Sequence, residues 1–289
     1  MTGPLPPCVV LAGGVSVERE VSLRKGAAVA ESLQRVGATV RTIDPPGSLD
    51  GFAFEAGEVA VIALHGAYGE DGTVQRELSS AGVPFTGAGV AASRLAFDKW
   101  AAREAAGVEV ADGSLSPRGW SQFPCVVKPR RGGSSFGLSL VRTADDLPAA
   151  WEAAGEDPLV EAFVDGEEWT VAVLGGRAMT PVRVRPAGEI FDTRSKYDDA
   201  RSRFEPLADT NDARYESLRT AAATAAANLG AGGLCRSDFI WSDGRPVFLE
   251  LNTVPGMTDR SLAPLSAAVS GLSFDTLVAE TVRLAVESV

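Results

Sequence analysis

The sequence predicts an α/β protein built in three parts, with a site for a metal ion and phosphate groups. Three observations carry this. Short apolar runs alternate with a helical stripe near the N-terminus, at Cys8–Ala12, Thr39–Ile43 and Val59–Leu64. A glycine- and serine-rich tip, RRGGSSFG (130–137), joins two strands in the middle of the chain. Near the C-terminus, RSDFIWSDGRPVFLELN (236–252) reads as a hairpin that gathers three oxygen-bearing side chains.

In chain order, Cys8–Ala12 runs into Gly13-Gly14, a strand and a tight turn. Glu18–Val36 carries small or apolar residues at Gly26, Val29, Ala30, Leu33 and Val36, a helical stripe closed by Gly37. Thr39–Ile43 and Val59–Leu64 are further strands, the latter apolar throughout, as suits a parallel strand covered on both faces. This order predicts a doubly wound unit, whose ligands bind beyond the carboxyl ends of the strands. Those ends carry GGVSVERE (13–20) and HGAYGEDG (65–72), which put Glu18 and His65 beside a ligand. For His65, the single histidine, position leaves two readings open: a hydrogen-bonded structural residue or a ligand contact.

Asp98 to Ala106 is a helix ended by Gly107. PCVVKP (124–129), the 130–137 tip and Leu138–Arg142 then predict a hairpin. The tip is neither a P-loop nor a dinucleotide fingerprint. In isolation it reads as a flexible turn; as a lid, its N–H groups and hydroxyls would wrap phosphate oxygens, with Lys128 at its base. Lys128 lies in an apolar strand, which is costly unless an anion meets it, and this favours phosphate.

Asp145–Ala154 is a helix, followed by strands at Leu159–Val164, Glu168–Leu174 and Met179–Arg185. Phe191–Glu205 breaks all periodicity and reads as a charged lid loop. Asn211–Leu229 is an alanine-rich helix, and Ser273–Glu287 closes the chain with an apolar stripe. Between them lie the hairpin strands Leu234–Trp241 and Pro246–Asn252, with a turn at 242–245. Glu250 and Asn252 leave one face, and Asp238 comes alongside from the partner strand. An oxygen-only set suits Mg²⁺ or Mn²⁺ rather than zinc. Phe239, Ile240, Val247, Phe248, Leu249 and Leu251 would surround the carboxylates with apolar neighbours, so a counter-charge is needed, and a metal supplies one.

Composition narrows the classes further. With 45% hydrophobic residues in 289, a sizeable core is expected. A net charge of −11 argues against a nucleic-acid surface. Cys8, Cys125 and Cys235 are scattered in apolar segments and read as small buried hydrophobes in a reducing cytosol. No apolar run reaches membrane-spanning length and Met1–Pro7 lacks the features of a signal peptide, so a soluble cytoplasmic protein is expected.

Taken together, GGVSVEREVSL (13–23), ALHGAYGEDGTVQ (63–75), TGAGVAASRLAFDK (86–99), VVKPRRGGSSFG (126–137), VEAFVDGEEWTVAVL (160–174), SKY (195–197) and RSDF…FLELNTVPGMTDRSL (236–262) resemble the ATP-grasp ligases, more closely the D-alanine–D-alanine ligases of cell-wall synthesis. The resemblance implies an N-terminal parallel αβ domain (1–90) and two ATP-grasp lobes with antiparallel sheets (91–173 and 174–289). It implies that Lys99, Lys128 and Ser135 hold ATP phosphates, with Lys196 reaching the γ-phosphate. Glu161 and Glu168 would contact adenine and ribose, and the backbone of Ala162, Phe163 and Val164 would line the adenine slot. Asp238, Glu250 and Asn252 would bind two Mg²⁺ or Mn²⁺ ions.

For the amino acids, Glu18 would take the first ammonium, with His65 near its carboxylate, and Ser261 and the Leu262 N–H would hold the second carboxylate. Arg236 and the Gly256 N–H would be oxyanion donors, and Ser134 and Tyr197 would link to Glu18 and shut the lid. The implied reaction makes D-alanyl-D-alanine through a D-alanyl phosphate, giving ADP and phosphate, for peptidoglycan precursors. A D-alanine–D-lactate or D-alanine–D-serine ligase is the near alternative, and a non-catalytic nucleotide-binding regulator the distant one. Partners would be small molecules, without nucleic acid or membrane, and homodimers are common in the family. Two departures stand out: Arg260 where a His is common, and Phe191 where a Tyr is common.

Overall fold

The computed structural model describes residues 3–133, 136–185, 202–258 and 261–287. Its N-terminal sheet is parallel, in the order β2 (Val40–Ile43), β1 (Cys8–Leu11), β3 (Val59–Ile62). Val10 lies between Thr42 and Val61 in register. Alternation along β1 and β3 splits their side chains between two cores. Cys8, Val10, Val59 and Val61 face one cluster, while Val9, Leu11, Ala60 and Ile62 face another. Helix α1 (Arg19–Arg35) covers the first face and α2 (Thr73–Ser80) the second. A sheet buried on both sides needs the continuous apolar runs the sequence shows.

Gly26 is the closest point between α1 and the strand. A Cβ there would lie 2.3 Å from the Ala12 Cβ, so only glycine lets the helix settle onto the sheet. Gly26→Val is expected to cost about 3 kcal/mol of stability through overpacking. Urea denaturation of the variant checks this; an unchanged midpoint would contradict the packing.

Helices α3 (Val90–Phe97) and α4 (Lys99–Ala105) follow. A four-stranded sheet comes next, in the order β4 (Gly113–Ser114), β7 (Pro158–Ala162), β5 (Cys125–Pro129), β6 (Ser139–Val141). Helix α5 (Leu147–Ala153) contributes to its core through Leu147 and Ala150. The largest sheet runs β11 (Arg203–Pro206), β10 (Val182–Arg185), β8 (Glu167–Leu174), β12 (Leu234–Ser242), β13 (Arg245–Asn252), with the two-residue β9 (Arg177–Ala178) beside β8. Helix α6 (Ala213–Asn228) packs its buried alanines against Trp169, Val171 and Phe239, together with Ala92, Ala96 and Ala102 of α3 and α4. Helices α7 (Leu262–Val269) and α8 (Phe274–Glu287) end the chain.

The hairpin is as the alternation and the Asp-Gly turn predict. Asp243 (φ 49°) and Gly244 (φ 79°) both take the left-handed conformation of a two-residue type I′ turn. Several expectations change in detail. The aperiodic stretch expected over 191–205 ends sooner, because Arg203–Pro206 is a strand paired with β10, its single apolar residue Phe204 packing near Val182, Val184 and Leu262. The rest of that stretch, through 201, lies outside the described residues. Helices α2 and α3, of eight residues each, go beyond the expectation, being shorter than the window of about 11 residues in which a helical period is legible.

The division expected after Val173 falls inside β8, whose length pairs with β12 from Glu167 to Leu174. Helix α8 lies instead on the N-terminal sheet, where Leu277, Val278 and Val282 join Val10 and Val61, and Asp275 accepts from Ser32 Oγ at 2.7 Å.

All three cysteines are free and buried. Burial pushes the thiol of Cys8 up to about 11 and that of Cys235 up to about 12. Among the described residues no single helix is long and apolar enough to cross a membrane. Helices α7 and α8 meet that test only as a pair bent by 103°, and their Ala263, Ala267 and Leu277 are buried in the core.

Candidate active site

Two cavities meet on the solvent-facing side of the β12–β13 hairpin. One, of about 520 Å³, lies between the four-stranded sheet and the largest sheet. The other, of about 560 Å³, lies between the N-terminal part, the hairpin end and the start of α7. Lys99, Gly132, Gly133 and Glu250 line both.

The hairpin register sets the junction. Asp238 stands opposite Glu250 and Arg236 opposite Asn252, so all four side chains leave one face. Phe239, Phe248 and Leu251 point the other way into the core, with the two rings edge-on at 5.8 Å. Of the apolar neighbours expected there, Ile240 and Leu249 do share a cavity with Asp238 and Glu250, while alternation turns Phe239, Phe248 and Leu251 away from the carboxylates. Their counter-charges come from the chain itself. Arg236 grips Asp238 with Nε at 2.9 Å and Nη2 at 2.8 Å, Thr170 Oγ1 donates to Asp238 at 2.6 Å, and Lys99 Nζ lies 3.8 Å from Glu250. Asn252 Oδ1 accepts from the Val254 N–H at 2.9 Å and keeps a further lone pair.

Two carboxylates and an amide on neighbouring strands fit a hard divalent cation by donor chemistry. Among the described residues no group of three or more acidic, histidine or cysteine side chains is gathered for a metal, since the third member here is an amide.

The first cavity has a charged end and an apolar slot. Lys128, buried on β5, is 2.5 Å from Glu161 on β7, and Arg103 Nη1 reaches the same carboxylate at 3.0 Å. Phe163, Val164, Ile240 and Leu249 supply the apolar walls, and Glu168 lies at the rim. The Ala162 N–H is committed to the Asp112 carbonyl and the Phe163 N–H to that of Pro124, which fixes the slot's edge. Lys99 is the first residue of α4, whose N-cap Asp98 accepts from the Ala101 N–H, Arg130 Nε (2.7 Å) and Arg131 Nη2 (2.9 Å). Burial raises the Asp98 pKa, but these hydrogen bonds and charges outweigh it and hold the carboxyl below its ordinary value. Asp98 thus ties the first arm of the 130–137 tip to the helix that carries Lys99.

In the second cavity, Glu18 occupies the N-cap position of α1. Gly66 and Gly133 approach its carboxylate so closely that a Cβ at either would lie 3.0 or 3.4 Å from Oε2. Gly66, at φ +72°, needs glycine on both counts, whereas at Gly133 the added carbon would make an ordinary contact. His65 is buried, with Nδ1 3.4 Å from Glu70, whose other oxygen accepts from the Gly66 N–H at 2.9 Å. Its Nε2 is buried without a partner among the described residues. The ring is thus a structural bond on one side and an unspent polar atom on the other. Ser261 Oγ accepts from the Thr258 N–H at 3.0 Å, and Leu262 opens α7. Gly256 packs against it, since a Cβ there would lie 2.7 Å from that oxygen. Ser134, Ser135, Phe191, Lys196, Tyr197 and Arg260 lie outside the described residues.

Three residues beyond the sequence reading join the site: Asp98, Arg103 and Lys25. Spacing was the available signal, since Arg103 is four residues from Lys99 and Lys25 seven from Glu18. Lys25 is buried in the second cavity, and desolvation lowers its pKa to about 7 although Glu70 and Glu18 oppose this. A lysine ordinarily titrates near 10.5, so the unfolded chain holds more protons than the fold between those values. Stability therefore rises with pH across that window, and burying the ammonium is most costly below about 7. Lys25→Met is expected to be more stable than the native chain at pH 6, with the gap narrowing toward pH 10 in paired denaturant titrations, about 1 kcal/mol per pH unit. A gap independent of pH would contradict the burial.

The chain is similar to known proteins across nearly its full length. The family model described as D-ala D-ala ligase C-terminus matches residues 99–283. A D-alanine–D-alanine ligase of Syntrophotalea carbinolica is 41% identical over 282 residues, 93% of this chain and 92% of the relative. The structure of a D-alanine–D-alanine ligase from Bacillus anthracis complexed with ATP superposes with a TM-score of 0.83 at 27% identity, covering 98% of both chains. A D-Ala:D-Ser ligase from Enterococcus faecalis gives 0.84 at 27% identity, over 96% of this chain and 99% of that one. Both the matched family model and the full-length relatives place this chain in the D-alanine–D-alanine ligase family.

Proposed function

We propose that the protein joins two D-alanine molecules at the expense of ATP, for peptidoglycan precursor synthesis. The observation that carries this is the shared wall of Lys99, Gly132, Gly133 and Glu250, which lets a phosphoryl group pass from a nucleotide cavity to an amino-acid cavity without leaving the protein. ATP would place its adenine in the slot of Ala162, Phe163 and Val164, its ribose by Glu168, and its phosphates by Lys128 and Lys99. Asp238, Glu250 and Asn252 would hold two Mg²⁺ or Mn²⁺ ions, whose chemistry is to offset phosphate charge.

Glu18 holds the ammonium of the first D-alanine and His65 its carboxylate. A carboxylate oxygen attacks the γ-phosphorus, a C–O–P linkage forms, the β,γ P–O bond breaks and ADP departs; here the protein positions and neutralises. The second D-alanine rests its carboxylate on Ser261 and on the Leu262 N–H, a donor at the start of α7 that no helical carbonyl uses. Its amine, after losing a proton, attacks the acyl carbon. Charge on the tetrahedral oxygen goes to Arg236 and the Gly256 N–H, and phosphate leaves with the former carboxylate oxygen.

Phosphate release and product analysis with D-alanine, L-alanine, D-serine and D-lactate test this. D-Alanine alone should support turnover, with D-alanyl-D-alanine as product. A mixed product dominating with D-serine or D-lactate would move the assignment to a sister activity. Phosphate release independent of any amino acid would remove it.

A further inference from the structure

Lys25 has no part in the steps above, yet it is 3% exposed and lines the amino-acid cavity. It lies on α1 seven residues after Glu18, two helical turns along the same face. Its Nζ donates at 3.2 Å to the carbonyl of Val254, on the 253–258 segment between β13 and α7. The N–H of that same residue donates to Asn252 Oδ1 at 2.9 Å. Val254 is thus gripped on both sides of its Cα, from α1 and from the hairpin, two residues before Gly256.

Burying an ammonium against a main-chain carbonyl is a poor way to gain stability, since its desolvation outweighs one hydrogen bond. Glu18 and Glu70 favour the charged form and Arg236 opposes it, so the surroundings offset only part of that cost. The return is geometric. Helix α1 carries both the carboxylate that anchors the first D-alanine and the ammonium that anchors the loop bearing the Gly256 N–H. One rigid element then spaces the two.

We propose that Lys25 is a positioning residue, which by holding the Val254 carbonyl sets the Gly256 N–H against the acyl oxygen of the substrate bound at Glu18. This rests on Gly256 being an oxyanion donor. Misplacing a donor lowers transition-state stabilisation while leaving ground-state binding intact, so the loss falls on kcat.

The test compares native protein with Lys25→Met and Lys25→Gln by steady-state kinetics, amide hydrogen exchange over 253–258 and thermal melting. Lys25→Met should lower kcat about 10- to 100-fold with KM for ATP and for each D-alanine changed less than about twofold. Exchange over 253–258 should quicken and the melting point should hold or rise. Lys25→Gln, with a shorter donor, should fall between. Native kcat in both variants overturns the proposal. So does a raised KM for D-alanine at native kcat, which makes Lys25 a substrate contact. Loss of folding in Lys25→Met with native kcat in Lys25→Gln overturns it as well, leaving a structural role. Arg236→Lys, run alongside, reports on the oxyanion reading separately: full activity there removes that reading whatever the Lys25 variants do.

Discussion

Asp238→Asn is expected to lower ligation at ordinary Mg²⁺ concentrations by about 100-fold or more while the protein stays folded. Asp238 contributes the charge on its side of the hairpin junction, opposite Glu250, and a hard cation depends on ligand charge. The asparagine oxygen still accepts from Thr170 and from Arg236 Nε, but its amide nitrogen faces Arg236 Nη2 donor to donor, so one bond of the two-point grip is lost. The expected stability loss is about 1–3 kcal/mol, well short of the cost of stripping a buried partner outright. A Mg²⁺ titration of initial rates, with circular dichroism on the same samples, separates the two effects. Rising Mg²⁺ should recover part of the rate. Full activity at sub-millimolar Mg²⁺ would remove Asp238 from the metal site.

Arg236→Lys should be the second large effect, a fall in kcat of about 10²–10³-fold with KM little changed. Charge is kept and geometry is lost. The guanidinium is aimed by its two-point grip on Asp238, which an ammonium on a flexible stem does not reproduce. If Arg236 stabilises only the tetrahedral state, a phosphinate dipeptide mimic should lose affinity in step with kcat/KM, while D-alanine binding holds. Equal losses for mimic and substrate would make it a ground-state contact instead.

The parts of this site that the sequence discloses are those set by local rules. Asp243-Gly244 between alternating strands fixes a hairpin, and a hairpin fixes that Asp238 faces Glu250. Apolar strands ending in GGVSVERE and HGAYGEDG fix the edge at which Glu18 and His65 appear. The rest depends on packing between distant segments. Lys25 and Arg103 sit on helices, where a lone cation ordinarily reads as solvated, and only Val254 and Glu161, far along the chain, reveal what each one meets. The same limit applies to α8, whose stripe announces a buried face without naming the N-terminal sheet as its partner. Phe239 and Phe248 show the converse: neighbours in sequence to the carboxylates, they belong to the opposite face in space.

The wall common to both cavities has a bearing on inhibition. Lys99, Gly132, Gly133 and Glu250 border each chamber, so a compound with an adenine-like head and a dipeptide-like tail would span both along the route proposed for the phosphoryl group. Joining two weak fragments makes the second encounter intramolecular, at an effective concentration in the millimolar range for a short tether. Selectivity would come with it, because other nucleotide-binding proteins can match the head but not the chamber behind it.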